Sequence, residues 1–233
     1  MEAVPAIMMR LLARFLRTSQ FNARSWSNEE LAKFAPLFSG KVVNISGGGD
    51  SDKGGRRYRD YFTASSEYSV SNYGKLAGLE NEFALDLELK VLPGELKDRF
   101  DVAFSHTVLE HVYDFETAVA NLVAMSSDVV ITVVPFLQSF HHDEWYSDYW
   151  RFSPAVLKRV FDNHGLKTLY LTWNEDPLGN LYVFHIASKR PAQWTAISQR
   201  QPSLTHGPGV RRSRLLYGNA GIEKATIDLS GRF

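Results

Sequence analysis

The histidines of this chain are the side chains best suited to acid–base chemistry at neutral pH. His106 follows an apolar run, while His141 and His142 are adjacent and precede Asp148 by a few residues. An imidazole titrates near neutrality and can remove one proton from a substrate; a carboxylate can take that role or orient the imidazole. We predict a general base among these four residues. The sequence leaves open which one acts, and the alternative for each histidine is a structural hydrogen bond.

The residues after the histidine pair could also hold a divalent metal. His141, His142, Asp143 and Glu144 carry suitable donor atoms, but adjacent residues rarely coordinate one ion together, so we predict no metal site.

Arg151 presents a planar fork of donors that suits a carboxylate or a phosphate, unless it forms an ion pair with Asp148 or Glu144. Aromatic faces for stacking on a ring, or for closing a pocket, are supplied by Trp145, Tyr146, Tyr149 and Trp150.

A glycine-rich turn, Gly47-Gly48-Gly49-Asp50, follows the apolar run of residues 41–45. Residues without a Cβ let the backbone approach a ligand closely, and in open α/β sheets such a turn lies at the carboxyl end of the strands. The dinucleotide fingerprint fails because Asp52 stands where its third glycine belongs, and the phosphate loop fails because Gly55-Arg56 replaces Lys-Ser/Thr. A purely structural turn remains the alternative.

Composition narrows the function classes. With 233 residues and 44% hydrophobic content, the chain can bury the core of one α/β domain. The formal net charge is zero and no basic block stands out, which argues against a nucleic-acid partner. The absence of cysteine excludes disulfides and thiol nucleophiles, and no run of about 18 apolar residues suggests a membrane span. We expect a cytoplasmic protein.

Short apolar runs alternate with helical patterns. Helices are predicted from a capping box at Ser27, over 115–125 and over 153–164. This alternation predicts a parallel sheet with helices on both faces, and the short turn at 176–180 predicts that the last two strands form an antiparallel hairpin at the sheet edge. The predicted strands are 41–45, 68–71, 83–87, 102–105, 129–134, 168–171 and 181–187.

The two ends of the chain differ from its centre. Residues 1–18 mix apolar side chains with arginines in a helical pattern, carrying too many charges for a signal peptide. We expect this segment to pack on the domain or on a partner subunit, with peripheral attachment to an anionic membrane as the alternative. Periodicity fades from Arg190, which indicates an extended tail. The predicted organisation is a helical segment over 1–40, an α/β domain over 41–189 and an extension over 190–233.

Three segments together resemble a known family. Residues 100–112 read FDVAFSHTVLEHV, residues 43–50 read VNISGGGD and residues 84–88 read ALDLE. They resemble, in order, the fourth-strand, first-strand and third-strand motifs of class I S-adenosylmethionine-dependent methyltransferases. The resemblance spans residues 41–188. It implies a Rossmann-like, seven-stranded and mostly parallel sheet, and S-adenosylmethionine as the cofactor.

A second, narrower resemblance concerns the acceptor. Residues 134–136 read VPF, His141 and His142 follow, and residues 148–154 read DYWRFSP. This stretch is similar to one in methyltransferases of bacterial polysaccharide and glycan biosynthesis. It implies a sugar hydroxyl as the methyl acceptor.

The resemblance to class I methyltransferases also assigns roles to single residues. Backbone at Ser46, Gly47 and Gly49 would line the methionine part of the cofactor, Asp86 would accept from the adenine amine, and His106 would lie beside the sulfonium. Glu110 and His111 would orient the loop after the fourth strand. The full predicted cofactor set is Ser46, Gly47, Gly48, Gly49, Asp50, Tyr58, Arg59, Asn72, Asp86, Leu87, Ser105 and His106. For Tyr58 and Arg59, solvated basic surface is an equal explanation.

One position departs from the family pattern. The second strand normally ends in an acid that binds both ribose hydroxyls, whereas this chain has Asn72. An amide accepts only one such bond well, so Asp50 or Tyr73 would share the task.

The resulting expectation is an O-methyltransferase for a sugar hydroxyl, with His106, His141, His142, Asp148 and Arg151 as candidate catalytic residues. The rivals are a methyltransferase for another small-molecule or lipid-linked acceptor, and a non-catalytic member that binds the cofactor or a partner.

Overall fold

A computed structural model of the chain describes residues 22–142, 146–174 and 180–202. The expected amphipathic helix over residues 1–18 lies outside the described residues. So do Asp143, Glu144 and Trp145, and the predicted tail beyond residue 202. Within the described part of the chain, no helix has the length and apolar character needed to cross a membrane.

Seven strands form one sheet in the order β3-β2-β1-β4-β5-β7-β6. Strands β1 to β5 are parallel, and β7 runs antiparallel to both of its neighbours, β5 and β6. The predicted β6–β7 hairpin is present, and β7 lies inside the sheet with β6 at its edge. The strands are β1 Lys41–Ile45, β2 Glu67–Asn72, β3 Glu82–Ala84, β4 Phe100–His106, β5 Ser126–Leu137, β6 Lys167–Trp173 and β7 Leu181–Ser188.

Within residues 22–142, 146–174 and 180–202, four α-helices accompany the sheet: α1 Ala23–Phe34, α2 Phe115–Met125, α3 Pro154–Asn163 and the short α4 Thr195–Ser198. The side chains of Asn22, Asp114 and Ser153 cap the first three helices by accepting backbone N–H bonds. Helix α1 therefore begins one turn before the predicted capping box, and Ser27 lies inside the helix. The first part of the predicted tail is also helical: Ile197 is buried, and the Gln201 side chain bonds both backbone groups of Leu171 on the edge strand.

The two faces of the sheet carry separate apolar cores. On one face, α2 and α3 pack Leu122 and Phe161 against Phe100 of β4. On the other, α1 packs Phe34 against a core that includes Phe104 of the same strand. Side chains four residues apart in a regular strand lie on the same face, but Phe100 and Phe104 lie on opposite faces. The reason is a register irregularity beside Phe100, which interrupts the alternation of side chains along β4. The predicted helices on both faces are thus observed.

The connection from β1 to β2 differs from an ordinary β–α–β crossover. Residues 46–66 contain one 3-10 turn, Tyr58–Asp60, and no α-helix. Tyr58, Tyr61 and Phe62 cover this part of the sheet instead, together with α1. Because β1 to β4 are parallel, their carboxyl ends lie at one edge of the sheet, where β2 ends in Asn72 and where Ser46, Leu85 and Thr107 follow the other three strands. The candidate site lies along this edge.

Candidate functional site

The glycine turn after β1 has an unusual backbone path. Ser46, Gly48 and Asp50 all adopt left-handed conformations, with φ of 51°, 55° and 55°. A Cβ added at Gly47 would lie 2.6 Å from the Asn44 amide nitrogen and 3.0 Å from Val70. At Gly48 and Gly49 an added Cβ would meet nothing within 4 Å. The turn is therefore packed tightly on the sheet at Gly47 and is open toward solvent at the next two residues.

Asn72, at the end of β2, clamps this turn. Its side-chain oxygen accepts from the Gly48 N–H at 2.8 Å, and its amide nitrogen donates to the Gly48 carbonyl at 3.0 Å. The same nitrogen donates to Glu82 at 2.6 Å. Both N–H bonds of the amide are thus used within the protein. The residue predicted to hold the ribose has a structural task in this arrangement.

Glu82 in turn orders the connection between β2 and β3. Its carboxylate accepts from the backbone N–H groups of Ala77, Gly78 and Leu79 at 2.6–2.9 Å. These bonds, led by the one from Ala77, hold the pKa of Glu82 at about 2. Glu82 and Asn72 thus connect the glycine turn to the segment between β2 and β3 through hydrogen bonds.

Asp50 is enclosed beneath the turn. Its side chain is buried and accepts from the Asn44 amide at 2.9 Å, the Tyr68 hydroxyl at 2.7 Å and the Arg59 backbone N–H at 3.2 Å. Burial and the neighbouring Asp50 charge raise the pKa of Tyr68 well above 10, so this hydroxyl stays a donor. A carboxylate with these three partners holds the turn and is directed away from solvent. Tyr73, the other suggested ribose ligand, is exposed.

Tyr58 and Arg59 follow on the 3-10 turn. Tyr58 is buried, with its ring 5.4 Å from Phe104 and 5.5 Å from His106. Arg59 forms an ion pair with Glu80 at 3.2 Å. Both residues support the site from the α1 side of the sheet, and neither is the freely solvated surface that the sequence also allowed.

The predicted residues after β3 and in β4 occupy the same sheet edge. Asp86 is half-buried, and one of its oxygens accepts from the Glu88 N–H at 2.8 Å in a local turn. The Leu87 side chain lies in the core, and its carbonyl accepts from the Asn121 amide at 2.8 Å. Ser105 is buried, paired between Ile45 of β1 and Thr132 of β5. Asp86 is the member of this group that carries a carboxylate.

His106 contacts α1. Its Nε2 lies 2.9 Å from the Ser27 hydroxyl, which also lies 2.9 Å from the Arg24 carbonyl. A hydroxyl has one proton, so if Ser27 donates to that carbonyl, His106 carries its hydrogen on Nε2 and donates to Ser27. Burial, with the nearby Arg24 charge, lowers the pKa of His106 to about 3. The imidazole is neutral at physiological pH and fastens α1 to the end of β4.

The second histidine group forms around Asp148. Arg151 binds both Asp148 oxygens, at 2.5 and 2.6 Å, and also contacts the carbonyls of Gln138 and Ser139. His141 donates its backbone N–H to Asp148 at 2.8 Å and places Nδ1 3.1 Å from the same carboxylate. Burial opposes ionisation of Asp148, but the Arg151 bonds outweigh it and hold the pKa at about 2. Arg151 is thus engaged in the ion pair that the sequence offered as an alternative.

His141 and His142 differ in setting although they are adjacent. The His141 ring lies 5.1 Å from His111 and 6.0 Å from Tyr146, and it is partly buried. His142 is exposed beside Phe140. Asp148 therefore orients one histidine of the pair and not the other. Among the described residues, no group of three acidic or histidine side chains is arranged to hold a metal ion.

Glu110 is a buried acid that was assigned only a loop-orienting role. It is 1% exposed, and its Oε2 has no hydrogen-bond partner among the described residues. Its Oε1 lies 3.8 Å from His111. Burial raises the pKa of Glu110 to about 8, although the charges of Arg24 and Arg151 act in the opposite direction. The carboxyl is mostly protonated at neutral pH, between the His106 and Asp148 groups.

The comparisons with known proteins establish the fold. No protein-family model and no curated protein matches the sequence. Solved structures do match. A candidate S-adenosylmethionine-dependent methyltransferase from Listeria monocytogenes aligns with a TM-score of 0.52 at 11% identity, over 70% of this chain and 97% of its own. A candidate methyltransferase from Haloferax volcanii, solved with the Trm112 activator, gives 0.51 at 13% identity, over 71% and 90%.

A third structure, a candidate methyltransferase from Bacillus halodurans, aligns with a TM-score of 0.51 at 9% identity, over 69% of this chain and 97% of its own. The chain has the fold of these methyltransferases. At such low identity the likeness concerns the fold alone, and it agrees with the predicted seven-stranded, mostly parallel α/β sheet. The names of the three proteins give no acceptor, so the sugar acceptor stays a prediction.

The sequence did not assign several residues to the site, or did not show their roles in it. Arg24 and Ser27 reach it from α1, which the sequence placed outside the α/β domain. Glu82 lies just before the predicted third strand and was assigned no role. Glu110 was visible in the LEH motif, but nothing in the sequence showed that its carboxyl would be buried without a partner. These contacts join residues far apart in the chain, such as Ser27 and His106, which are 79 positions apart.

The tight packing at Gly47 gives a direct test of the turn. Gly47→Ala should lower the free energy of unfolding by about 1–3 kcal/mol, because its Cβ would overlap the Asn44 amide and disturb the Asn44–Asp50 bond. Gly49→Ala is the matched control and should change stability by no more than ~0.5 kcal/mol, since its Cβ meets open space. Urea denaturation of both variants measures this. Equal losses at the two glycines would contradict the described packing.

The protonated state of Glu110 predicts a pH dependence. The unfolded glutamate ionises near pH 4.5 while the folded one ionises near 8, so the folded state holds the extra proton between these values. Stability should therefore fall as pH rises through this window. Glu110→Gln keeps the shape of the neutral carboxyl but cannot ionise. The free energy of unfolding of Glu110→Gln, measured relative to that of the wild type, should therefore rise on the order of a few kcal/mol from pH 5 to pH 8, at about 1.4 kcal/mol per pKa unit.

Urea denaturation at the two pH values checks this expectation. Glu95→Gln, at an exposed position, serves as the control and should show no such gain. A difference between wild type and Glu110→Gln that stays constant from pH 5 to pH 8 would show that the carboxyl ionises normally.

Proposed function

We propose that this chain is an S-adenosylmethionine-dependent methyltransferase. The observation that carries the proposal is the bend at residues 47–49, which lies at the carboxyl edge of a sheet with the methyltransferase strand order. The similar protein from Listeria monocytogenes is named for this cofactor. The resemblance of residues 43–50, 84–88 and 100–112 to the family's motifs supports the same conclusion.

The residues at this edge fit such a cofactor in part. The open backbone at Gly48 and Gly49 leaves room for an amino-acid moiety beside the turn, and a side chain at Gly47 would close the bend against Asn44. Asp86 has a carboxylate oxygen for an adenine amine. At the ribose position, Asn72 retains one acceptor lone pair, since its two N–H bonds are used. We infer that this chain holds the ribose less firmly than a carboxylate would.

The acceptor group that we propose is a hydroxyl, with His141 as its general base. When bound, the cofactor supplies a methyl group that passes to the acceptor oxygen by in-line displacement and leaves S-adenosylhomocysteine. His141 Nδ1 faces the Asp148 carboxylate at 3.1 Å, which favours a hydrogen on Nδ1 and a lone pair on Nε2. Nε2 takes the hydroxyl proton and later releases it to solvent. His106 and Asp148 are poorer bases because their pKa values lie near 3 and 2.

We further propose that the hydroxyl belongs to a sugar in polysaccharide or glycan biosynthesis and that the protein acts in the cytoplasm. This rests on the resemblance of residues 134–136 and 148–154. The aromatic side chains of Tyr146, Tyr149 and Trp150 are all exposed beside His111 or Tyr113 and offer ring faces to an acceptor. Partner-subunit or peripheral membrane contact through residues 1–18 stays a prediction.

Cofactor binding is tested by calorimetric titration of the purified protein with S-adenosylmethionine and S-adenosylhomocysteine. We expect saturable binding of both, and loss of binding in Gly47→Ala at a temperature where that variant is folded. Gly49→Ala, folded and unhindered, should bind both. If the wild-type protein binds neither compound at millimolar concentration, the assignment is wrong.

The adjacent histidines allow a matched test of the base. His141→Gln should lower kcat by about 10²–10⁴-fold with the affinity for S-adenosylhomocysteine unchanged, because it removes a proton acceptor and no cofactor contact. His142→Gln, at the exposed neighbour, should keep kcat within about twofold. Transfer of a labelled methyl group to sugar, lipid-linked and other small-molecule acceptors measures both. A larger loss at His142 would refute the assignment of His141.

A non-catalytic role is the second candidate, and the structure supplies one observation in its favour. Asp50 and Asn72, whose side chains hold the turn, both bind within the protein. A chain that binds S-adenosylhomocysteine in the titration but methylates no acceptor of any class would have this role.

A further inference from the structure

Arg24 is a partly exposed arginine in the first turn of α1, beside the carboxyl end of β4. Its carbonyl lies 2.9 Å from the hydroxyl of Ser27, which in turn contacts His106. Within residues 22–142, 146–174 and 180–202, no carboxylate oxygen lies within 4.0 Å of the Arg24 guanidinium. Since a guanidinium is charged at physiological pH, Arg24 brings an unpaired positive charge to this part of the described structure.

The groups that interact with this charge are neutral. Burial lowers the pKa of His106 to about 3 and raises that of Glu110 to about 8; the Arg24 charge adds to the first shift and opposes the second. Burial also raises the pKa of Tyr182, again against the Arg24 charge. All three groups are thus near Arg24 and mostly uncharged at neutral pH, so none of them balances it.

The ionised carboxylate of this region is already paired. Arg151 binds both oxygens of Asp148, so these two residues together add no net charge. The charge of Arg24 therefore remains in excess at the end of β4. A partly buried cation loses hydration that only an opposite charge restores well, which favours a ligand with one negative charge.

Arg24 lies on the side of the site that we assign to the methyl acceptor. Most of the predicted cofactor contacts follow β1, β2 and β3. The groups that interact with Arg24 include Glu110, which follows β4, and Tyr182 of β7, which lies two strands beyond β4 in the sheet. The same two groups interact with Arg151, which holds the carboxylate beside the proposed base His141. An acceptor that reaches this base thus comes close to Arg24.

The shape of the guanidinium favours a carboxylate among anions. Two parallel N–H donors match the two oxygens of a carboxylate, and one negative charge equals the excess positive charge. A phosphate monoester would bring close to two negative charges, which a single arginine does not balance. The neutral Glu110 carboxyl does not repel an incoming anion as an ionised acid would.

We propose that Arg24 binds a carboxylate of the methyl acceptor, which makes the acceptor an acidic sugar of the hexuronate type. The inference rests on the proposed function and deepens it by naming the charge of the substrate. A carboxylate is also present in the amino-acid part of the cofactor. The experiment therefore separates these two sources.

Saturation-transfer NMR with methyl glucuronide and the neutral methyl glucoside tests the proposal on the full chain. We expect saturable binding of the glucuronide and at least tenfold weaker binding of the glucoside. Arg24→Gln should weaken the glucuronide by about ten- to hundredfold, as the loss of hydrogen bonds to a charged group implies. Arg24→Lys keeps the charge without the planar fork, so its affinity should lie between those of wild type and Arg24→Gln.

Arg159→Gln is the matched control, because it removes one exposed arginine from α3 and should bind the glucuronide as the wild type does. Circular dichroism shows that each variant is folded. S-adenosylhomocysteine and 5′-methylthioadenosine, which lacks the amino-acid part, are titrated into the same variants. Arg24→Gln should bind both nucleosides with unchanged affinity.

Three results overturn the inference. The wild type binds the glucuronide no more tightly than the glucoside, or folded Arg24→Gln binds the glucuronide normally. In the third, Arg24→Gln loses affinity for S-adenosylhomocysteine and keeps it for 5′-methylthioadenosine, which would assign Arg24 to the cofactor. Failure of the proposed function gives a different result, since the wild type would then bind neither S-adenosylmethionine nor S-adenosylhomocysteine. Glucuronide binding that depends on Arg24 would still establish the carboxylate site in that case.

Discussion

The paired hydrogen bonds between the Asn72 amide and the Gly48 peptide set the shape of the candidate site. One bond is donated by the Gly48 N–H and the other is accepted by the Gly48 carbonyl. Only an amide side chain supplies both partners, because a carboxylate at this position would repel the carbonyl oxygen. The departure from the acidic residue of the family pattern therefore has a physical reason. The side chain holds the turn with both ends of its amide.

Helix α1 completes the site from a different direction. Its Ser27 bonds His106 at the end of β4, its Glu30 accepts from Tyr170 of the edge strand at 2.9 Å, and its Phe34 packs 4.6 Å from the same ring. These contacts are spread along the length of the helix and cross the sheet. Because the β1–β2 connection contains no α-helix, α1 covers much of this face of the sheet.

Much of the fold could be predicted because local signals agreed with tertiary packing. Helix α2 matched its predicted bounds, since its apolar spacing and its Asp114 cap indicate the same segment. Strand β3 was predicted to reach residue 87 but ends at Ala84, where the Leu85 N–H bonds the end of β2 and Asp86 begins a turn. Ser27 had the sequence of a helix cap, but Asn22 caps the helix and Ser27 binds a histidine. In each difference, a long-range hydrogen bond outweighed a local pattern.

The candidate site was harder to predict than the fold, since its electrostatics depend on burial. Sequence identifies His106, Glu110 and Asp148 as titratable, yet one is a neutral imidazole, one a protonated acid and one an ionised carboxylate at neutral pH. Burial without a partner neutralises the first two, while Arg151 keeps the third charged. A cation that binds near Glu110 would favour its ionised form and lower its pKa. The end of β4 thus carries a neutral imidazole and a neutral acid beside the charged Arg24 and the Asp148–Arg151 ion pair.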